Sequence, residues 1–300
     1  MCCLFGIVNY GKTLKQSQIR QILNVLSREA EVRGTDATGI ACNHNGKLLI
    51  EKRPLPAHKM KFHVPAHVHT IMGHTRMTTQ GSEKHNCNNH PFRGQAGQDR
   101  FALAHNGMLY NDHRLRKEYD LPKTAIETDS YVAVQLIERY GELSFESLTD
   151  MAEKLDGSYT FTVLDERDSL YIVRGNNPMC LYHSPEYGLY LYASTEGILA
   201  QAVGKLTFSM GDYEKCPVAM GEILNIKPDG SREARGFSMG LRYSAVWEVS
   251  TSQKAYADEL KSVAWMFGYT AEDVEALLEE GITGEEIEDY FLGLMEEGYY

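Results

Sequence analysis

The sequence predicts an α+β fold built on antiparallel strands. Residues 1–230 contain many short stretches with β-strand character, and turn signals such as Asn43-His44-Asn45-Gly46 separate them. The few helix patterns stand apart from the strands instead of alternating with them, which favours hairpins over a parallel βαβ sheet. With 300 residues, of which 43% are hydrophobic and 24% charged, the chain can bury a substantial core in one large or two ordinary domains.

Short apolar runs bounded by turn residues predict ten strands in this part of the chain. The predicted ranges are 3–9, 37–43, 47–52, 69–74, 101–105, 158–165, 169–174, 180–184, 189–193 and 222–227. Neighbouring ranges separated by glycine- or asparagine-containing turns are expected to pair as hairpins.

Three helices are predicted between these strands. Residues 15–31 carry isoleucine and leucine side chains at helical spacing, which indicates one buried face. Residues 128–139 form the second predicted helix, with Thr128 as its N-cap, and residues 144–154 form the third.

The last fifty residues have the pattern of a small helical unit. Helices are predicted over approximately 252–267, 271–280 and 284–297. Two glycine-containing breaks separate them, and each break ends in a threonine with an acidic residue three positions later, Thr270 with Asp273 and Thr283 with Glu286. This spacing is close to a capping box, in which the two side chains bond each other's backbone N–H groups.

The charge of the chain is concentrated in that unit. Residues 251–300 contain two basic and thirteen acidic residues, and removing these from the totals of 30 and 41 leaves 28 of each sign in residues 1–250. A neutral body and an acidic tail argue against nucleic-acid binding, which needs clustered positive charge. The sequence thus predicts a body domain over residues 1–235 and an acidic helical tail over residues 251–300.

Other gross features point to a cytoplasmic protein. No apolar stretch approaches the ~18–20 residues needed to cross a bilayer, so no membrane association is expected. The first apolar run is too short for a signal peptide and has no basic leader. The six cysteines show no CxxC spacing and are expected to be free thiols, as is usual in a reducing compartment.

Cys2 is the residue best suited to nucleophilic chemistry. If Met1 is removed, Cys2 carries both a thiol with an ordinary pKa near ~8.5 and an α-amine with an ordinary pKa near ~7.7–8.0. One residue then holds a nucleophile and the base that activates it. The alternative is a buried thiol at the start of a strand, since free cysteine packs as a small hydrophobe.

Four polar clusters fall at predicted strand ends and loops. They are residues 33–39, residues 73–81, residues 89–92 together with 105–107, and residues 127–130. Each alone has a structural explanation, because Asn-Gly forms turns, Thr-Asp caps helices, and an arginine near an aspartate forms surface pairs.

Taken together with Cys2, these clusters resemble, in order and spacing, the glutaminase domain of class II glutamine amidotransferases, which are N-terminal-nucleophile hydrolases. The matching segments are Cys2-Cys3-Leu4-Phe5-Gly6, Arg33-Gly34-Thr35-Asp36-Ala37-Thr38-Gly39, His74-Thr75-Arg76 with Thr79 and Gly81, Asn89-His90-Pro91, His105-Asn106-Gly107, Thr128-Asp129 and Gly221-Glu222-Ile223. They are similar above all to the glucosamine-6-phosphate synthase branch and cover about residues 2–230. The resemblance implies a four-layer αββα sandwich of two antiparallel sheets, here with a small C-terminal helical appendage.

The resemblance also implies roles for these residues. Cys2 attacks the side-chain amide of L-glutamine, giving a γ-glutamyl thioester and ammonia, while its α-amine relays protons. The Asn106 side chain and the Gly107 N–H form the oxyanion hole. Arg76 binds the substrate carboxylate and Asp129 its ammonium group.

Two further residues belong to the implied substrate-binding set. Thr79 lies in the loop of the His-Thr-Arg motif, and Arg33 lies near the Cys2 terminus, where it orients the nucleophilic strand. A site that pairs both charged ends of an amino acid rejects substrates that lack either one. No cofactor is implied.

The chain departs from the family pattern at Cys3, which replaces a glycine, and at Met77 and Gln80, which replace tryptophan and histidine. The last two weaken an assignment to glucosamine synthesis more than the glutaminase prediction. No synthase domain fits in the remaining 70 or so residues, so the ammonia is expected to pass to a separate acceptor enzyme or subunit. The tail is either a docking module or lid, or simply a solvated helical unit.

Two other functions remain open at this point. The scaffold of a terminal-nucleophile hydrolase could act on another amide, or the chain could sense glutamine without turnover. A histidine cluster formed by His58, His63, His67 and His69 raises the possibility of zinc, but its spacing matches no strong metal motif and no carboxylate is evident beside it. No metal site is predicted.

Overall fold

The structure is a computed structural model. It describes residues 2–239, 256–258, 260–261, 264, 269–284, 286–288 and 290. Within them, thirteen strands form two antiparallel sheets, and six α-helices with complete bounds lie outside the sheets, together with further helical residues of the tail.

The strands are short and mostly buried on both faces. In chain order they are β1 (Cys3–Val8), β2 (Ala37–His44), β3 (Lys47–Arg53), β4 (Thr70–Arg76), β5 (Phe92–Ala96), β6 (Asp99–Leu109), β7 (Gly157–Asp165), β8 (Leu170–Arg174), β9 (Cys180–Ser184), β10 (Leu189–Ala193), β11 (Glu214–Cys216), β12 (Glu222–Ile226) and β13 (Arg232–Gly236). The first sheet has the order β11-β9-β10-β1-β4-β2-β3, and the second has the order β13-β12-β8-β7-β6-β5. The first strand of the chain therefore lies at the centre of the first sheet.

Helices cover the outer face of each sheet. They are α1 (Gln16–Glu29), α2 (Asp112–Glu118), α3 (Tyr131–Tyr140), α4 (Phe145–Lys154), α5 (Glu196–Gly204) and α6 (Ala271–Glu279). A 3-10 turn, Ala30–Arg33, continues α1, and two shorter ones span Ala57–Lys59 and Asn86–Asn88.

Three apolar clusters define four layers. One joins α1 and α5 to the first sheet, and a second joins α2, α3 and α4 to the second sheet. The third lies between the sheets and contains Leu4, Met72, Ala104 and Leu164, all fully buried. This arrangement is the αββα sandwich that the resemblance implied, and it confirms the α+β prediction.

All ten predicted strands are present, and their ends differ from the predicted ends by no more than four residues. Strands β5, β11 and β13 were missed, as were helices α2 and α5. The missed strands are only three to five residues long and lie at sheet edges; β11 and β13 are mostly polar, and β5 alternates buried and exposed residues.

The predicted N-cap of α3 was wrong. The helix begins at Tyr131 with Ser130 as its N-cap. Thr128 and Asp129 instead form a tight turn before it, in which the Thr128 and Asp129 carbonyls accept from the N–H groups three residues later. Helices α1 and α4 agree with the prediction.

The tail packs on the first sheet's helical layer. Tyr256, Leu260, Ala264, Val274 and Ile287 are buried in the same apolar cluster as α1 and α5. The predicted helix over 271–280 is confirmed as α6, whereas much of the predicted 252–267 and 284–297 helices lies outside the described residues.

Both predicted threonine-acid caps in the tail are present. Thr270 and Asp273 bond each other's backbone N–H groups, and Thr283 and Glu286 do the same. No helix in the described part of the chain combines the length and apolar character that a bilayer crossing needs.

Candidate active site

Cys2 lies at the open end of the central strand β1. The pairing of β1 with β4 sets Cys3 opposite Thr75, so Cys2 lies beside Arg76, the last residue of β4. The Cys2 side chain is half-buried, and its Sγ lies 3.5 Å from the Met77 carbonyl oxygen. Strand pairing on both sides of β1 therefore fixes Cys2 at the open end of the sandwich.

Arg33 binds the backbone of Cys2. It ends the 3-10 turn after α1, is fully buried, and donates from Nε to the Cys2 carbonyl oxygen at 2.7 Å. The residue after it, Gly34, packs directly on the end of β4, where an added Cβ would lie 2.4 Å from the Arg76 carbonyl carbon. Only glycine lets the turn approach β4 this closely, and this contact places Arg33 behind Cys2.

Asn106 approaches the same carbonyl from the second sheet. It lies on β6, fully buried, and the hydrogen-bond network assigns its side-chain nitrogen as donor to the Cys2 carbonyl at 2.7 Å. Its side-chain oxygen accepts from Nη2 of Arg33 at 3.3 Å. The backbone carbonyl of Asn106 is held in turn by the Asn177 side chain at 3.0 Å.

Gly107 follows in a conformation that suits glycine. Its φ is +139°, and an added Cβ would lie 2.0 Å from the Ser158 carbonyl oxygen on β7. The resemblance assigned Asn106 and Gly107 to one oxyanion site, and the structure places both at the end of β6 nearest Cys2.

Arg76 is held by the loop that follows β4. Nη1 donates to Asn89 Oδ1 at 2.7 Å, and Nη2 donates to the carbonyls of Gln80 and Gly81 at 2.6 and 3.1 Å. Burial lowers the pKa of this guanidinium, while the charges of Cys2, Asp36, Glu83 and Asp129 act in the opposite direction. Cys2 and Asp129 thus both lie within electrostatic range of Arg76.

Asp129 is buried beside the end of β6. Its Oδ2 accepts from the Leu109 N–H at 2.6 Å, and its Oδ1 accepts from the Ser130 hydroxyl at 3.3 Å. Loss of solvent raises the pKa of this carboxyl, and the hydrogen bonds from Leu109 and Ser130 oppose that rise only in part. A cation arriving at Asp129 would favour its charged form.

The loop carrying Thr79 lies at the same mouth. Thr79 is exposed, and its neighbour Thr78 donates its N–H to Asp36 Oδ2 at 2.7 Å. The Gln80 side chain donates to the Glu127 carbonyl at 3.1 Å. The loop is therefore tied to the 33–39 segment on one side and to the turn before α3 on the other.

Three buried histidines lie beneath the site. His74, His90 and His105 lie in a row, with ring centroids 4.3 Å apart for the first two and 6.5 Å apart for the last two. Burial lowers the pKa of His74 to about 3 and that of His90 far below its usual value. His74 and His90 are therefore neutral and pack beneath the site.

The structure brings Cys2, Arg33, Asn106, Gly107, Arg76 and Asp129 to one end of the sandwich, with Thr79 in the adjoining loop. Sequence reasoning missed Glu288 of the tail, which forms a fully buried ion pair with Arg33 through Nη1 and Oε1. It also missed Asn89, which orients Arg76. Asn89 stood within a matching motif, but nothing local distinguishes Glu288 among the thirteen acidic residues of the tail.

Two members of the histidine cluster lie beside carboxylates. His58 Nδ1 lies 2.6 Å from Glu31, and His63 Nδ1 lies 3.1 Å from Glu51, both at the surface. The expectation that no carboxylate stands beside these histidines was wrong, because the partners come from segments distant in sequence.

Three possible metal ligands meet elsewhere, at the edge of the first sheet. His183, Glu214 and Cys216 have ligand atoms within 4.8 Å of one another. The Arg232 side chain forms a hydrogen bond with the Cys216 thiol. The Arg232 guanidinium therefore already provides a positive charge beside these three groups.

Comparison with known proteins agrees with this geometry. Residues 74–201 match the family described as a glutamine amidotransferase domain. The chain is 31% identical over 244 residues to glutamine–fructose-6-phosphate aminotransferase (isomerizing) of Staphylococcus aureus strain Mu50, a match that covers 77% of this chain and 38% of that protein. It is 32% identical over 188 residues to the protein of the same name from Staphylococcus epidermidis, covering 60% of this chain and 30% of that one.

Solved structures share the fold. The glutamine phosphoribosylpyrophosphate amidotransferase of B. subtilis superposes with a TM-score of 0.61 at 22% identity, covering 80% of this chain and 50% of that one. A structure described as the allosteric regulatory enzyme of purine biosynthesis gives a TM-score of 0.61 at 23% identity, covering 81% and 50%.

The two antiparallel sheets, with a cysteine just before the central strand, share the fold of the solved amidotransferase structures. The chain carries a glutamine amidotransferase domain of class II, similar to the glutaminase portion of the fructose-6-phosphate aminotransferases. It matches less than half the length of those curated relatives.

Proposed function

We propose that the chain hydrolyses L-glutamine to L-glutamate and ammonia, with Cys2 as its N-terminal nucleophile after removal of Met1. The observation that carries this proposal is the double hold on the Cys2 carbonyl by Arg33 and Asn106, each at 2.7 Å. Two buried donors on one backbone carbonyl fix the orientation of the first residue, which a nucleophile needs. A cysteine that served only for packing would not need them.

The chemistry follows from groups on Cys2 itself. The α-amine takes the thiol proton as the sulfur attacks the side-chain amide carbon of glutamine. The C–N bond then breaks, the same proton goes to the departing nitrogen, and ammonia leaves a γ-glutamyl thioester. Water, activated by the α-amine, attacks the thioester, releases glutamate and restores the thiol.

The oxyanion of each tetrahedral intermediate needs fixed donors. An amide nitrogen carries two N–H bonds, so Asn106 can hold the Cys2 carbonyl with one and the oxyanion with the other. The Gly107 N–H is the second donor. Each such donor contributes roughly 10²–10³ in rate.

Recognition of glutamine rests on the two buried charges beside Cys2. Arg76 pairs with the α-carboxylate and Asp129 with the α-ammonium, with Thr79 supporting the carboxylate from the loop. Both hydrogens of Arg76 Nη2 already bond the carbonyls of Gln80 and Gly81. A bidentate grip on the carboxylate therefore requires this loop to yield one of those bonds.

We further propose that residues 1–235 are the glutaminase domain and that residues 251–300 form an acidic helical tail, whose described residues pack against it. The ammonia would pass to a separate acceptor enzyme or subunit in the cytoplasm. The match to the first relative covers 77% of this chain, about the share that residues 1–235 occupy, and supports this division.

The test is release of ammonia and glutamate from glutamine by the purified chain and by Cys2→Ala. We expect turnover by the parent and none above background by Cys2→Ala, with the fold unchanged by circular dichroism. Cys87→Ala is the matched control, because Cys87 is an exposed thiol in the loop before β5. Undiminished turnover by Cys2→Ala would refute the mechanism, and preference for another amide in a substrate panel would refute the substrate.

A further inference from the structure

The ion pair between Arg33 and Glu288 joins the C-terminal tail to the nucleophile. Arg33 is 1% exposed and Glu288 is 0% exposed, so both charges are out of water. The second carboxylate oxygen of Glu288 accepts a hydrogen bond from the Tyr256 hydroxyl, also buried and also in the tail. Both oxygens of the Glu288 carboxylate are therefore engaged.

The guanidinium of Arg33 is held on each of its nitrogens. Nε donates to the Cys2 carbonyl and Nη2 to the Asn106 side chain, and both of these acceptors are neutral. Nη1 faces the Glu288 carboxylate. A buried cation needs a compensating anion, and Glu288 supplies it.

The tail is built to deliver this carboxylate. Ile287, next to Glu288, is buried against the helical layer of the first sheet together with Leu260 and Val274. Gly284 lets the Tyr256 ring approach, since an added Cβ there would lie 2.9 Å from the ring. Apolar packing thus fixes where Glu288 enters.

We propose that Glu288 is a positioning residue for the Cys2 nucleophile, acting through Arg33. Its carboxylate sets the plane of the guanidinium, which in turn holds the Cys2 carbonyl and the Asn106 side chain. This inference rests on the proposed function for its catalytic consequence, but the link from Glu288 to Cys2 can be measured without glutamine.

The first experiment compares Glu288→Gln with the parent in glutamine hydrolysis. The substituted side chain keeps the volume and one oxygen of the original but carries no charge. We expect kcat to fall about 10- to 100-fold, because a small misplacement of a nucleophile has that effect. KM should change less than about threefold, because Arg76 and Asp129, which hold the substrate, keep their own contacts.

Two variants accompany it. Glu288→Asp keeps the anion and should recover most of the lost kcat, whereas a loss due only to packing would not be restored by a shorter side chain. Glu279→Gln is the matched control, because Glu279 is an exposed acidic residue on α6 of the same tail. It should behave like the parent.

The second experiment measures alkylation by iodoacetamide, resolved by peptide mass. Without Glu288 the Arg33 charge is uncompensated and favours the Cys2 thiolate, so Cys2 should react about 3- to 10-fold faster in Glu288→Gln. The exposed Cys87 should react as in the parent. The fully buried Cys3 should stay unmodified, which shows that the chain is folded.

If Glu288→Gln does not fold, the kinetics of Tyr256→Phe test the proposal instead. It keeps both charges and the ring but removes the hydroxyl that holds Glu288 Oε2, so kcat should fall about threefold with KM unchanged. Parent-like kcat and Cys2 alkylation in the folded variants would overturn the proposal. Absence of glutamine hydrolysis by the parent would refute the proposed function alone and leave the alkylation result to decide this one.

Discussion

Charge burial governs the residues around Cys2. Arg76, Arg33 and Asp129 are each at least 95% buried. Burial raises the pKa of Asp129, so this carboxyl ionises less readily here than it does in water. In the proposed complex, the ammonium group of the substrate offsets that penalty, so an amino acid should bind more tightly than an analogue without the ammonium group.

This raised pKa gives a pH-dependent KM. The ionised carboxylate is present above the raised pKa and is lost as pH falls through it, so KM for glutamine should rise toward acid pH. Asp129→Asn should raise KM about 10- to 100-fold at neutral pH, because a hydrogen bond to a charged partner is lost. The KM of this variant should also rise less than that of the parent as the pH falls.

The measurement is KM for glutamine across the acid range in both proteins. Asp156→Asn, at an exposed aspartate before β7, is the control and should follow the parent profile. An acid rise in KM that persists unchanged in Asp129→Asn would assign it to another group.

At this scale the sequence predicted the polar residues that stand within motifs. Cys2, Asn106 and Asp129 could be selected because each is embedded in a short pattern whose residue types suit the chemistry. Glu288 could not, because its role depends on a contact with a residue 255 positions away. Long-range contacts of this kind leave no local pattern.

Among the elements, β6 does the most to shape the site. It carries Asn106 and Gly107 at its end and pairs with β7 on one side and β5 on the other. At Gly107 the chain combines a positive φ with a close approach of β7, and both conditions exclude a side chain.

Gly107→Ala should therefore lower kcat and stability together. The added Cβ would force β6 away from the Ser158 carbonyl and displace the N–H proposed to bind the oxyanion. We expect kcat to fall at least about 100-fold and the thermal midpoint to drop. Kinetics and thermal unfolding of the purified variant check this.

Gly204→Ala is the matched control for that substitution. Gly204 ends α5, and nothing lies within 4 Å of an added Cβ there. Alanine in a helix is favoured over glycine by up to about 1 kcal/mol, so this variant should keep its activity and its stability. A Gly107→Ala variant with the same properties would argue against an oxyanion role for this segment.

The elements that sequence patterns could predict are those with one strong periodicity. β1 is an apolar run, β7 alternates apolar and polar residues, and α1 has a clear buried face. β13 could not be recognised, because its sequence Arg-Glu-Ala-Arg-Gly is polar and its pairing with β12 supplies the order. The start of α3 was misplaced because the Thr-Asp-Ser sequence is equally suited to a cap and to the tight turn it forms.

For the molecule as a whole, hairpin patterns were sufficient to predict antiparallel sheets but not how they stack. The four layers came from the family resemblance, and the apolar cluster between the sheets explains them physically. The tail could be recognised as helical and acidic from its composition. Its packing against α1 and its buried carboxylate depend on the folded surface that receives it.

The central claim is that an unblocked Cys2 is the reacting group, and intact mass with peptide mapping tests it most directly. The purified chain is weighed before and after treatment with a glutamine analogue that alkylates thiols. We expect the mass of a chain lacking Met1, then one adduct located on Cys2, with loss of glutamine hydrolysis in proportion. Retention of Met1 in fully active protein, or inactivation with the adduct on another cysteine, would contradict the claim.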